Sequence, residues 1–287
     1  MAAYPDNPLD VLNDPFAESA DSHHWVVFKS LGLDWHLPHW LSRFMVLEAI
    51  AAIIVLAVFI PACRRIGRGD VPKGRFAHFV EALLLFIRDE VAIPTIGEHD
   101  YKRFLPLLWT LFVFIATMNL LGMIPFMGSP TANIAVTGVL ALVAFIVIHY
   151  NGIKASHGFG HYIKTFRVKL DREGKLLQIL APIIEFGVFW LEIMTAFIRA
   201  IVLAVRLFAN MLAGHTTLFV VMSFIVMVGI AVEHHMMSEI SFWPITIVSV
   251  LTVVALSLLE IFVGLLQAFV FVFLTSTFIG MAMHPEH

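Results

Sequence analysis

The sequence predicts an all-α integral membrane protein: about five membrane-crossing helices plus one surface amphipathic helix, the last two crossings long and tilted. Three observations predict it. Of 287 residues, 60% are hydrophobic and only 14% charged, with a mean hydropathy of +0.89; a soluble domain could not cover so much apolar surface. Five segments are apolar over the roughly 20 residues that a crossing requires. The basic residues gather in two of the connections between those segments.

The expected spans run from about Phe44 to Cys63, Phe104 to Ile124, Ala132 to Tyr150, Ala181 to Val232 and Trp243 to Met283. The fourth would extend roughly 78 Å as one helix, so it is strongly tilted, bent back or divided in two. Between Pro182 and Pro244 there is no proline to break it, which favours a long tilted helix.

Eight basic residues lie in 64–103 and six in 151–180, two precede the first span, and Arg199 and Arg206 lie inside the fourth. Fourteen of the eighteen therefore fall on one side of a five-crossing chain. By the positive-inside rule residues 1–43 form a polar region outside, 64–103 and 151–180 are cytoplasmic loops of a single membrane domain over 44–283, and 284–287 is a cytoplasmic tail. The first 24 residues lack Lys, Arg and an apolar core, so they do not read as a signal peptide. One cysteine, Cys63, excludes an internal disulfide framework.

Within the first basic loop, "RFAHFVEALLLFIRDEV" sets Phe76, Phe79, Val80, Leu83, Leu84, Ile87 and Val91 at helical spacing. This predicts an amphipathic helix on the cytoplasmic surface, a helix packed on a partner subunit being the other reading. The second loop, with three glycines and two histidines over 154–175, reads as a solvated loop.

Charge is sparse inside the spans and its spacing is informative. Stepping back from Arg206 in sevens gives Arg199, Glu192 and Glu185. Seven residues turn a helix by roughly 700°, so the four share one stripe that drifts about 20° per step, and Asn210 lies one turn beyond Arg206. On the fifth span Gly264 and Gln267 follow Glu260 at four and seven residues and share its face. A charge at the bilayer centre costs about 2.5–3.5 kcal/mol, so these groups face protein or water. They serve function, or they form structural ion pairs such as Glu192 with Arg199 or Glu260 with Arg206. Arginine does not release its proton in proteins, so Arg206 is a fixed charge; Glu260 and His215 are the candidate proton handlers. Asn119, in the second span, reads as a helix-to-helix hydrogen bond.

The stretches "RLFANMLAGH", "LEIFVGLLQAFVFVFLT" and "NLLGMIPFMGSPTANIAVT" resemble subunit a of the F-type ATP synthase, the membrane stator beside the rotating ring of c subunits. The resemblance covers about 44–283. It implies that Arg206 is the essential arginine facing the ring, that Asn210 is its neighbour and that Gln267 approaches it. It further implies that Glu192 is the acid toward the cytoplasmic side, and that Arg199 is the basic residue seven before Arg206. His215 and Glu260 match the exchanged histidine and acid of the outer half-channel. Ala200 and Ala209 replace the family's usual proline and glycine.

The expected function is therefore the stator subunit of a bacterial inner-membrane rotary synthase, inactive as an enzyme alone. Its partners would be the c-ring, the subunit b peripheral stalk, other synthase subunits and lipid, with no nucleic acid, cofactor or metal. The coupling ion stays open, with the proton expected. A self-sufficient channel or secondary transporter is the rival; the internal repeats and broken helices frequent there are not visible. Glu233, His234 and His235 raise an intramembrane metalloprotease, but no H-E-x-x-H occurs.

Overall fold

The computed structural model describes residues 43–67, 74–124, 129–156, 158–165, 175–233 and 239–283. The polar region 1–42, the tail 284–287 and His234 and His235 lie outside them. Among the described residues the chain is helical with no strand. In order come α1 (Arg43–Gly67), α2 (Arg75–Phe86), a π-helical stretch (Ile87–Ala92), α3 (Ile93–Ile96) and α4 (Tyr101–Gly122). After a 3₁₀ turn (Pro130–Ala132) follow α5 (Ile134–Ala155), α6 (Phe159–Thr165), α7 (Lys175–Glu233) and α8 (Glu239–Met283).

Tyr101–Gly122, Ile134–Ala155, Ile184–Ile230 and Phe242–Met283 are long and apolar enough to cross a membrane, and α1 contributes the shorter apolar stretch Phe44–Ala57. The fourth expected span is one uninterrupted helix, α7, of 59 residues. Beyond Pro182, near its start, no proline interrupts it, so its backbone hydrogen bonds continue from turn to turn as far as Glu233.

Two expectations are corrected. The loop expected over 154–175 contains the helix α6, whose Tyr162 is buried. At Gly152 of α5 an added Cβ would come within 2.5 Å of the Tyr162 ring. Glycine here lets α6 lie close on α5, and that packing holds a seven-residue helix which local propensity would not. The amphipathic helix expected over 75–91 is present, but its last turn widens into the π-helical stretch. Leu84, Ile87 and Val91 are buried while Phe79 is exposed, so only the C-terminal part of the apolar face is covered by this chain. The Arg88 guanidinium donates to Asp89 at 2.7 Å, a hydrogen bond that holds the Asp89 carboxyl below its ordinary range.

The Cα packing divides the described chain into two units. The first comprises 43–67, 110–137 and 207–269. Its α1 buries Phe44, Leu47, Ala51 and Val55, one face of a helix. Here Asn119 Nδ2 donates to the Gly264 carbonyl at 2.8 Å and Asn119 Oδ1 accepts from Thr131 at 2.9 Å, fastening α4 and the 3₁₀ turn to α8. The hydrogen bond expected of Asn119 is therefore present.

The second unit comprises 74–109, 138–206 and 270–283. Trp109 Nε1 donates to the Leu84 carbonyl, and Arg103 donates to Asn151 Oδ1 at 2.8 Å. At the end of α8, Ser276 and Gly280 stand one turn apart. Ser276 Oγ meets Thr95 Oγ1 at 2.5 Å, and a Cβ on Gly280 would overlap the Thr95 carbonyl oxygen. Small residues at this spacing let helices approach closely in a membrane.

Candidate functional site

In the first unit the structure brings together two groups 45 positions apart in sequence. His215 Nε2 lies 3.8 Å from Glu260 Oε1, their side chains 13% and 6% exposed. The distance is too long for a direct hydrogen bond. It suits an ion pair if the imidazole is protonated, or one intervening water. Gly214, beside His215, is the enabling residue: a Cβ there would sit 2.6 Å from Glu260 Oε1 and 2.9 Å from Cδ. Nothing in the sequence pattern singles it out.

The buried atoms that lack a hydrogen-bond partner among the described residues are telling. They are His215 Nε2, both carboxylate oxygens of Glu260, Gln267 Nε2 and Thr246 Oγ1. All five lie in this unit. Thr246, Glu260 and Gln267 are spaced fourteen and seven residues apart, along one drifting stripe of α8. Buried polar atoms are ordinarily satisfied, so this stripe suits water and a moving proton. Gly264, on the same face, is tied by Asn119, which fixes the stripe's backbone between Glu260 and Gln267.

In the second unit the stripe on α7 is realised within one helix. Glu185 is buried, Glu192 half-buried, and Arg199 and Arg206 exposed; Asn210, half-buried, continues it into the first unit. No ion pair joins Glu192 to Arg199 among the described residues. The Arg199 guanidinium carbon instead stands 5.1 Å from the centroid of the Phe278 ring, a cation-π contact. Arg206 has neither hydrogen bond nor ion pair among the described residues. A cavity of about 830 Å³ opens within this unit, with Glu192, Arg199, His149 and Tyr162 among its lining residues. His149 and Tyr162 were not singled out in the sequence. A histidine inside an apolar span was the available signal. No group of three or more candidate metal ligands occurs among the described residues.

The family model described as "ATP synthase A chain" matches residues 45–280. The chain belongs to this family. The ATP synthase subunit a of Myxococcus xanthus is 36% identical over 255 residues, covering 89% of this chain and 77% of that protein. The ATP synthase subunit a of Chloroherpeton thalassium is 34% identical over 293 residues, with 96% and 80% covered. Against the ATP synthase subunit a of Anaeromyxobacter dehalogenans, 34% identical over 247 residues, the match covers 84% of this chain but only 58% of that longer protein. All the stripe residues and the His215–Glu260 pair fall inside the part matched by the ATP synthase A chain model. Together with its apolar helices, this membership makes the chain a bacterial-type membrane protein of that family.

Proposed function

We propose that the chain is the stator subunit of a rotary ATP synthase, coupling proton flow across the membrane to rotation of a c-subunit ring. The observation that carries the reading is Arg206, exposed on the chain's own surface within an apolar helix and without a carboxylate partner among the described residues. Lipid would penalise such a charge. A passing ring carboxylate would stabilise it: at about 4 Å and an effective dielectric of about 20 the attraction is about 4 kcal/mol. That favours the ionised carboxylate and expels its proton beside the arginine, while the fixed positive charge repels protons that would otherwise leak straight across.

Protons would reach the ring from outside past His215, Asn210, Glu260 and Gln267. They would leave past Glu192, with Arg199 and Glu185 on the same stripe, toward the cytoplasm. Each charge crossing the potential delivers about 2.3 kcal/mol per 100 mV. The chain is no enzyme alone; ATP chemistry belongs to the assembled synthase, held through the subunit b stalk. Its place is a bacterial inner membrane, and the basic loops argue for the N-terminus outside and the C-terminus in the cytoplasm. Purification of the tagged chain from its native membrane tests the assembly: a small carboxylate-bearing ring subunit copurifies and the complex takes up protons on ATP addition. A chain that conducts protons with no such partner would be an independent channel or transporter instead.

A further inference from the structure

The cavity of the second unit holds more titratable chemistry than the α7 stripe supplies. His149 of α5 and Tyr162 of α6 line it together with Glu192 and Arg199 of α7. The α3 and α8 residues that line it, among them Thr95, Thr277 and Phe278, carry no titratable group. Among the described residues, those four side chains are thus the titratable and charged groups that face this space.

Their chemistry separates them. Arg199 does not exchange protons. Burial pushes the Tyr162 hydroxyl above its ordinary range, with Arg199 opposing, so it stays protonated near neutral pH and acts as a donor. Glu192 and His149 remain as the groups able to take up and release a proton.

The His149 ring is held in a defined state. Its Nδ1 lies 2.9 Å from the Phe145 carbonyl oxygen. A carbonyl only accepts, so Nδ1 carries the hydrogen and Nε2 keeps its lone pair. No hydrogen bond to Nε2 occurs among the described residues. The Phe145 ring lies 4.0 Å away, centroid to centroid, and Tyr162 meets the imidazole edge-on at 6.1 Å. Tyr162 owes that position to Gly152, where α6 closes on α5. The cavity is polar on this side and far larger than the roughly 30 Å³ share of one water, so water can reach the ring.

We propose that His149 is a second proton-handling residue of the inner path, taking a proton at Nε2 from cavity water and returning it from Nε2 to water nearer the cytoplasm. Nε2–H forms as an O–H bond of a protonated cavity water breaks, and release re-forms an O–H bond on the accepting water, so the imidazole is restored at each passage. This rests on the reading of Glu192 as the inner acid. It also gives the 159–165 helix a role, because its Tyr162 ring packs against the imidazole at 6.1 Å, centroid to centroid.

The test is ATP-driven proton uptake by inverted vesicles holding the whole complex. His149→Phe keeps the aromatic packing and removes the lone pair. His149→Ala leaves a space that added imidazole can occupy, and Glu192→Gln serves as control. The expected result is an assembled His149→Phe complex whose uptake falls roughly 10-fold to 10²-fold, water in parallel keeping the loss at or below the lower end for a positioned acid–base group. Imidazole restores His149→Ala in a dose-dependent manner, which a packing role alone would not predict. If His149→Phe pumps at the wild-type rate while Glu192→Gln slows, the inference is overturned and the inner path stands. If both pump normally, the inner path through Glu192 falls and His149 with it. Should His149→Phe not assemble, an assembled His149→Ala complex that imidazole leaves impaired overturns the proposal.

Discussion

Gly214→Ala adds a single methyl group and is the sharpest probe of the His215–Glu260 pair. The new Cβ would stand 2.6 Å from Glu260 Oε1, 2.9 Å from Cδ and 3.1 Å from Cγ, whereas ordinary contact begins near 3.4 Å. The carboxyl must therefore retreat by about 0.8 Å, the difference between 3.4 and 2.6 Å. It is the flexible end of a side chain and can do so by leaving its rotamer, at about 0.5–1.5 kcal/mol. The helix itself gains, because alanine is about 1 kcal/mol better than glycine in a helix interior. Folding and assembly should therefore survive while the proton-handling geometry does not. A displacement near 1 Å can cost roughly 10²-fold in a step that depends on alignment, so ATP-driven proton uptake should fall at least roughly tenfold at unchanged subunit abundance. Wild-type uptake by an assembled Gly214→Ala complex would refute the argument that Gly214 holds this pair in register.

Two further changes separate transport from stability. Glu260→Gln keeps the shape of the side chain but removes its titration, so proton-driven synthesis should slow by roughly 10²-fold with assembly intact; unchanged rates in energised vesicles would remove Glu260 from the path. Asn119→Leu deletes the donor to the Gly264 carbonyl and the acceptor for Thr131. It should cost about 1 kcal/mol, read as a lower Tm of the detergent-solubilised complex, and an unchanged Tm would show that the tie between α4 and α8 carries no stability.

Much of the fold was legible because the bilayer demands long apolar runs, and composition records those runs directly. The unbroken run of α7 from Ile183 to Glu233 follows from the absence of proline after Pro182. The π-helical stretch at Ile87–Ala92 did not show, since over one turn its spacing of apolar residues differs little from that of an α-helix. The helix α6 was hidden by the glycines and charges around it, its stability coming from Tyr162 against Gly152, a contact between elements. The stripe from Glu185 to Arg206 was readable from a step of seven on one helix. Which groups meet across helices was not, because periodicity orders residues along an element and says nothing of its neighbour's register. So Arg199 finds Phe278 rather than Glu192, and Gly214 and His149 gain meaning only beside Glu260 and Tyr162.

The stator claim is tested most directly by proton uptake into inverted membrane vesicles on ATP addition, wild type against Arg206→Ala, each assayed for copurifying ring subunits. Wild type should pump, Arg206→Ala should not, and both should retain the ring. An Arg206→Ala complex that keeps its ring and pumps at the wild-type rate would contradict the stator claim.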